Sequence, residues 1–193
     1  IAIIEVPEDM KRYRKKIAEM IMSLNKHIKT VLEKASERKG IYRTRKYKFL
    51  AGEKNTETVH KEYGCTFFLD PTKVYFSPRE LTERQRIASK VKERERVLVM
   101  FAGVAPFAIQ IAKKQPKVEK VVCIEINPVA VEYARKNVKV NKVEDKVEVI
   151  EGDVREKIEK YKEWFDRIVM PLPMGAENYL DIALYYLKPK GII

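Results

Sequence analysis

The 193-residue sequence predicts an α/β protein in two parts, a doubly wound parallel sheet over residues 97–193 behind a smaller α+β region. Three observations carry that prediction. Beyond residue 97, short apolar runs rich in Val and Ile alternate with helical patterns, and such alternation implies parallel strands with crossover helices. Before about residue 92 the extended stretches are punctuated by Gly52, Gly64 and Asp70-Pro71 and show no such alternation. Hydrophobic residues make up 45% of the chain and include ten Tyr and seven Phe, which excludes a disordered tail and leaves material for real cores.

The first part opens with a helix over 8–24, where Ile17, Met20, Ile21 and Leu24 recur at helical spacing. Extended stretches follow at 42–50, 56–62 and 66–75. A helix over 80–91 opens after Ser77-Pro78. The second part reads as strand 97–101, helix 107–114, strand 121–126 and helix 128–141, with Pro128 suited to a first helical turn. Strand 147–150, a short helix near 156–162, strand 168–170 and helix 176–187 complete it. The expected division is an α+β domain over 1–78, a connecting helix over 79–96 and the sheet domain over 97–193. Ile1-Ala-Ile-Ile4 reads as a strand already under way, and Gly191-Ile-Ile193 as the start of one. The expectation is therefore a piece of a longer protein with an incomplete sheet.

Charge narrows the function. Forty Lys and Arg face 28 Asp and Glu, a net +12, so a polyanion is the first partner to expect. No apolar run approaches the ~20 residues that cross a bilayer. Cys65 and Cys123 make neither a disulfide framework nor a metal cage, which points to a reducing, cytoplasmic setting. With two histidines and no acid cluster around either, no metal site is expected.

In an open parallel sheet, ligands bind beyond the carboxyl ends of the strands. After the first strand of the sheet come Phe101, Ala102 and Gly103, small enough for a ligand to approach the backbone. After the second come Glu125 and Ile126, an acid that can accept both hydroxyls of a ribose. After the third come Asp153 and Val154, suited to an adenine amino group and ring face, and after the fourth comes Pro171. Singly, Gly103 could be a turn glycine, Glu125 a capping or surface acid and Asp153 an N-cap. Together, in register with four strands, they favour an adenosine-containing ligand. The loop is neither G-x-G-x-x-G nor G-x-x-x-x-G-K-[ST], which disfavours dinucleotides and triphosphates. S-adenosylmethionine, which lacks phosphates, fits best.

The run 100–107 (MFAGVAPF), with Glu125-Ile-Asn-Pro128 and Gly152-Asp-Val-Arg155, resembles the archaeal and eukaryotic tRNA (guanine-N1)-methyltransferases that modify the guanosine 3′ of the anticodon. His60-Lys-Glu-Tyr-Gly-Cys65, Val74-Tyr-Phe-Ser-Pro-Arg79 and Thr82-Glu-Arg84 resemble the same family. The resemblance spans nearly the whole chain. It implies a Rossmann-like class I methyltransferase sheet behind an RNA-facing domain, with tRNA as partner, S-adenosylmethionine as methyl donor and a monomeric enzyme. Three positions depart from the family pattern: Val99 where an acid is usual, Ala105 where Gly is common, and Pro171 where Asn is common. The last removes a side-chain amide.

Guanine N1 carries a proton at neutral pH, so its methylation needs a base. The resemblance points to Glu83, a carboxylate expected to be partly desolvated; the alternative is an exposed i,i+3 pair with Arg86. Negative charge then develops on guanine O6, where a guanidinium stabilises it. Arg43 and Arg79 are the candidates, Arg43 foremost by its place in the family pattern, while Arg84 is placed to reach the donor's methionine carboxylate. Six cations and no acid lie between Arg38 and Leu50. Of these Arg45, Lys46 and Lys48, with Tyr47, are the expected RNA contacts. Two other readings stay open: an aminocarboxypropyl transferase of wybutosine synthesis, and an RNA-binding fragment impaired in catalysis.

Overall fold

A computed structural model describes residues 1–156 and 158–193. The described residues form two compact units, 1–58 with 70–74, and 59–69 with 75–193. Packing thus draws its line elsewhere than the expected boundary at residue 78. The residues around 59–69 and the helix after Ser77 pack with the large sheet.

The first unit is a three-stranded sheet under one helix. Strands β1 (Ala2–Ile4), β2 (Thr30–Lys34) and β3 (Tyr47–Gly52) lie in that order, β1 parallel and β3 antiparallel to β2. Helix α1 (Arg14–Leu24) packs Ala18 and Ile21 onto Val31 and Leu50. The expected helix over 8–24 is shorter, because Glu8–Tyr13 is a 3-10 segment with no buried residue. The expected strand over 42–50 begins only at Tyr47, since 40–43 is a turn. Gly52 has φ +94°, and an added Cβ would lie 2.1 Å from the Lys29 carbonyl oxygen, so only glycine fits where β3 ends.

The second unit opens with a hairpin, β4 (Thr58–Glu62) and β5 (Cys65–Leu69). The strand expected over 66–75 stops at Leu69, because Asp70 accepts the Thr72 backbone N–H at 2.9 Å and turns the chain. Helix α2 (Leu81–Lys90) follows a 3-10 turn at Pro78–Glu80. Then come β6 (Arg96–Met100), α3 (Pro106–Lys114), β7 (Lys120–Glu125), α4 (Pro128–Val140), β8 (Val147–Glu151), β9 (Phe165–Val169), α5 (Leu180–Tyr186) and β10 (Leu187–Ile192). All pair in parallel, in the order β10-β9-β6-β7-β8. The sheet starts at its centre, runs to one edge and then crosses back, so its topological switch point lies between β6 and β9.

Every second residue of the central strands enters one core: Leu98, Met100, Val122 and Ile124 pack with Phe165, Ile168, Ile182 and Tyr186. The alternate set, Val97, Val99, Val121 and Cys123, is fully buried on the other face. Strands covered on both faces read as continuous apolar runs, which is why these were visible in the sequence. The helix expected near 156–162 is reduced, among the described residues, to a 3-10 turn at Glu159–Tyr161. That expected over 176–187 is a 3-10 turn at Ala176–Tyr179 followed by the two-turn α5.

The hairpin is bound to α4 by two asparagines. The Asn137 side-chain oxygen accepts the Phe68 N–H at 2.7 Å and its amide donates to Phe68 O at 3.1 Å; Asn141 treats Thr66 the same way at 2.9 and 2.7 Å. One helical turn, i to i+4, spans nearly the same distance as two strand residues, so the two carboxamides act as a neighbouring strand for β5.

Candidate active site

At the switch point the chain leaves β6 through a loop in which Phe101, Gly103 and Ala105 all have positive φ, +55°, +56° and +65°. The turns between them curl the loop back over the sheet: Ala102 donates to Ile124 O at 3.1 Å and Ala105 to Ala102 O at 2.9 Å. A Cβ on Gly103 would meet only the Tyr75 carbonyl, at 3.5 Å, so backbone conformation rather than space calls for glycine there. Ala105 takes the left-handed conformation just before Pro106 opens α3. A side chain there costs on the order of 1–2 kcal/mol relative to glycine.

Glu125 ends β7, 8% exposed, directly beneath that loop. Its Oε2 accepts the Gly103 N–H at 2.7 Å and its Oε1 the Asn127 N–H at 2.9 Å. Burial raises the carboxyl above its ordinary value, while the backbone N–H groups of Asn127, Gly103 and Ile126 pull the other way. A carboxylate offers about four acceptor positions, so capacity remains for two vicinal hydroxyls. Asn127 holds the acid's far side by capping α4, accepting the Val129 N–H at 3.1 Å. Beyond β8, Asp153 folds its own loop by accepting the Arg155 N–H at 2.9 Å, and Val154 is 3% exposed. A backbone-anchored acid at β7, an apolar wall at Phe101 and Val154, and an open Gly103 backbone together fit an adenosyl group.

Beside this row lies a small open cleft, lined by Tyr75, Phe76, Ser77, Glu80 and Arg84 on one side and by Phe101, Ala102, Gly103, Pro106, Phe107 and Pro171 on the other. Pro171 leaves β9 through a tight turn in which Leu172 donates to Met170 O at 2.8 Å. It supplies an apolar ring and no side-chain amide.

Arg84 does not do what the sequence suggested. Its side chain is fully buried, with Nε and Nη2 donating to Glu62 at 2.6 and 2.7 Å and Nη1 to Ser77 O at 3.2 Å. Glu80 lies 3.6 Å from Nη1, and the guanidinium sits over the rings of Phe76 and Phe107 at 5.2 and 5.9 Å. Glu62 also accepts from Gln110 and bonds His60 Nε2 at 2.9 Å. Burial alone would raise the Glu62 carboxyl, but hydrogen bonds from Arg84 and His60 outweigh it and hold it below its ordinary value. The guanidinium is committed to framing the cavity wall. Glu62, His60 and Gln110 do not show as a group in the sequence because β4 and α3 lie far apart in it; the His60-Lys-Glu62 motif was the available signal.

Glu83 is likewise found otherwise than expected. Its carboxylate is 47% exposed and pairs with Arg86, Nε to Oε2 at 2.7 Å and Nη2 to Oε1 at 2.5 Å. That hydrogen bond lowers its pKa, against the small opposing effect of burial. The expected desolvation is thus absent from the free chain. Arg79 is exposed in the Pro78–Glu80 turn, one helical turn from Glu83. In the first unit, Arg43 has φ +51° in the 40–43 turn. Arg45, Lys46 and Tyr47 line an open concavity with Ser36, Lys39, Thr44 and Thr72. The Arg45 Nε there is buried without a hydrogen-bond partner among the described residues. Lys48 is exposed on β3.

Cys65 and Cys123 are buried free thiols, both made less acidic by burial. Among the described residues no group of three or more His, Cys, Asp or Glu could hold a metal ion, and no helix is long and apolar enough to cross a membrane.

Residues 58–193 match the TRM5/TYW2 methyltransferase domain. The chain belongs to this family. Residues 1–56 match the TYW2 N-terminal domain. Among curated relatives of this TRM5/TYW2 chain is the tRNA (guanine(37)-N(1))-methyltransferase Trm5b of Pyrococcus abyssi, 45% identical over 193 residues, all of this chain and 56% of that protein. Among solved structures, aTrm5 in complex with tRNALeu aligns with TM-score 0.88 at 39% identity, over 98% of this chain and 55% of the other. TYW2 of P. horikoshii in complex with MeSAdo aligns with TM-score 0.84 at 31% identity, over 98% and 66%. The chain spans about half the length of the first two.

Proposed function

We propose that this chain is the donor-binding and RNA-facing part of an enzyme that methylates N1 of guanine 37 in tRNA, with S-adenosylmethionine as donor. The observation that carries the reading is the Glu125–Gly103 hydrogen bond at the switch point, within a chain similar to tRNA (guanine(37)-N(1))-methyltransferases. The donor would supply an electrophilic methyl on a sulfonium. Glu125 would hold the ribose hydroxyls, Asp153 and Val154 the adenine, and Phe101, Ala102, Gly103, Ile126 and Pro171 the remaining walls. Arg84, through Glu62 and Ser77, keeps the cavity wall in place.

Glu83 serves in this reading as general base, taking the N1 proton as N1 attacks. In the free chain Arg86 satisfies it, so bound RNA must replace that partner before the carboxylate meets N1. Arg43 stabilises the charge growing on O6, with Arg79 beside the substrate, and Arg45, Lys46, Lys48 and Tyr47 contact the RNA. We assign the enzyme to the cytoplasm, as a monomer, in keeping with its two free thiols. Glu83→Gln in the full-length protein is expected to abolish turnover and leave donor affinity within twofold, read by calorimetry. Undiminished turnover would end the base assignment.

A second reading, transfer of the donor's aminocarboxypropyl group to a modified guanine, is favoured by one observation: residues 1–56 match the TYW2 N-terminal domain. The mass of the product nucleoside separates the two.

A further inference from the structure

Between β2 and β3 the first unit folds into a tight cationic turn that the roles above leave unused at its tip. Lys39 and Thr44 form an isolated antiparallel bridge, with the Lys39 N–H donating to Thr44 O at 2.9 Å. Arg43 N–H closes the turn onto Gly40 O at 3.1 Å, and Arg38 Nη1 donates to Arg43 O at 3.0 Å. Gly40 at φ +71° and Arg43 at φ +51° supply the left-handed bends. The turn is thus defined by its own hydrogen bonds, and it projects two apolar side chains, Ile41, 71% exposed, and Tyr42, 41% exposed.

Turn tips ordinarily carry Gly, Asn, Asp or Ser. An adjacent Ile and Tyr leave apolar area in water and add nothing to the α1-β2-β3 core, in which neither takes part. Their surroundings say what could cover them. Residues 38–52 hold six cations and no acid, a setting for a polyanion. Phosphates alone would need only the cations. An apolar tip needs in addition a flat apolar face, and nucleobases present such faces where a strand is looped and unstacked but hide them in a duplex.

We propose that the Ile41–Tyr42 tip is a wedge that stacks on unpaired bases of a looped RNA strand, while the flanking Arg and Lys residues hold its phosphates. The proposal rests on the tRNA reading and deepens it, assigning recognition of the open loop to two residues outside the catalytic set.

The test compares the full-length protein with its Ile41→Ser/Tyr42→Ser variant on a stem-loop RNA and on a blunt duplex of equal length, across a salt series. Both side chains are exposed, so the variant should fold, and an unchanged melting temperature verifies it. For the stem-loop, loss of one stacked base should weaken binding about five- to 150-fold. The slope of log K against log salt should not change, because no phosphate contact is lost. Duplex binding should be the same for both proteins. Lys46→Ala is the contrast: about one unit less slope and equal loss on both RNAs. Equal affinity of variant and wild type for the stem-loop, equal loss on both RNAs, or a changed slope would each overturn the wedge. Wild-type protein that binds neither RNA would overturn the tRNA reading along with it.

Discussion

Replacing Arg84 by Met tests the claim that this residue frames the donor cavity rather than touching the donor. The substitution keeps length and apolar contact with Phe76 and Phe107 but removes every N–H that reaches Glu62 and Ser77. Glu62, 8% exposed, is left with only His60 and Gln110 to hold its charge. Removing one partner of a buried ion pair costs about 3–5 kcal/mol, mostly through the stranded charge. For a chain of this size that is a fall of roughly 6–20 °C in melting temperature. The double variant Arg84→Met/Glu62→Gln removes the stranded charge yet keeps an acceptor for His60 or Gln110, so it should melt above the single variant. Arg84→Lys separates the two roles, since Lys keeps the charge but cannot span Glu62 and Ser77 as a fork. It should lose stability before donor affinity, with calorimetry measuring donor binding and scanning calorimetry the fold. The reasoning fails if Arg84→Met stays within about 1 kcal/mol of wild type, or if Arg84→Lys melts normally but loses the donor.

Glu125→Gln should weaken donor binding about 10- to 100-fold, the worth of charge-assisted hydrogen bonds to two hydroxyls, and calorimetry with the donor or its demethylated product measures this. Arg86→Gln should let the Glu83 carboxyl rise towards its ordinary value of 4.5. Because the base must be ionised, the acidic limb of kcat/KM should then move to higher pH, and a limb that stays in place would dissociate Glu83 from the rate. Gly52→Ala should destabilise the first unit by about 1–3 kcal/mol, as its Cβ would collide with the Lys29 carbonyl at a backbone angle alanine avoids; urea unfolding measures it.

The large sheet was legible because its central strands are buried on both faces, and Val97–Met100 and Val121–Ile124 therefore stand out as apolar runs, while the edge strand at 147–151 is only partly buried and carries Glu148. Parallel strands bring the tips that follow them, Gly103, Glu125 and Asp153, to one edge of the sheet, where Gly103 and Glu125 bond each other. Strand β2 does not show in the sequence, because Thr30-Val-Leu-Glu-Lys34 is short and all but its last residue is buried, so no alternation marks it. The roles of Arg84 and Glu83 were illegible for a different reason. They lie one residue apart on α2, yet one faces the interior and the other solvent. Which partner each finds depends on β4 and on Arg86. A sequence motif records the residues of such a pair without the direction each one takes.

The central claim is the reaction, and the most direct measurement is the mass of the nucleoside formed at position 37 when the full-length protein acts on a tRNA transcript with S-adenosylmethionine. The expected product is guanosine carrying one added methyl group, blocked at N1 and resistant to Watson–Crick pairing in primer extension. Unmodified guanosine from a protein that binds both donor and tRNA, or an aminocarboxypropyl adduct when the tRNA supplied already carries a modified guanine, would contradict it.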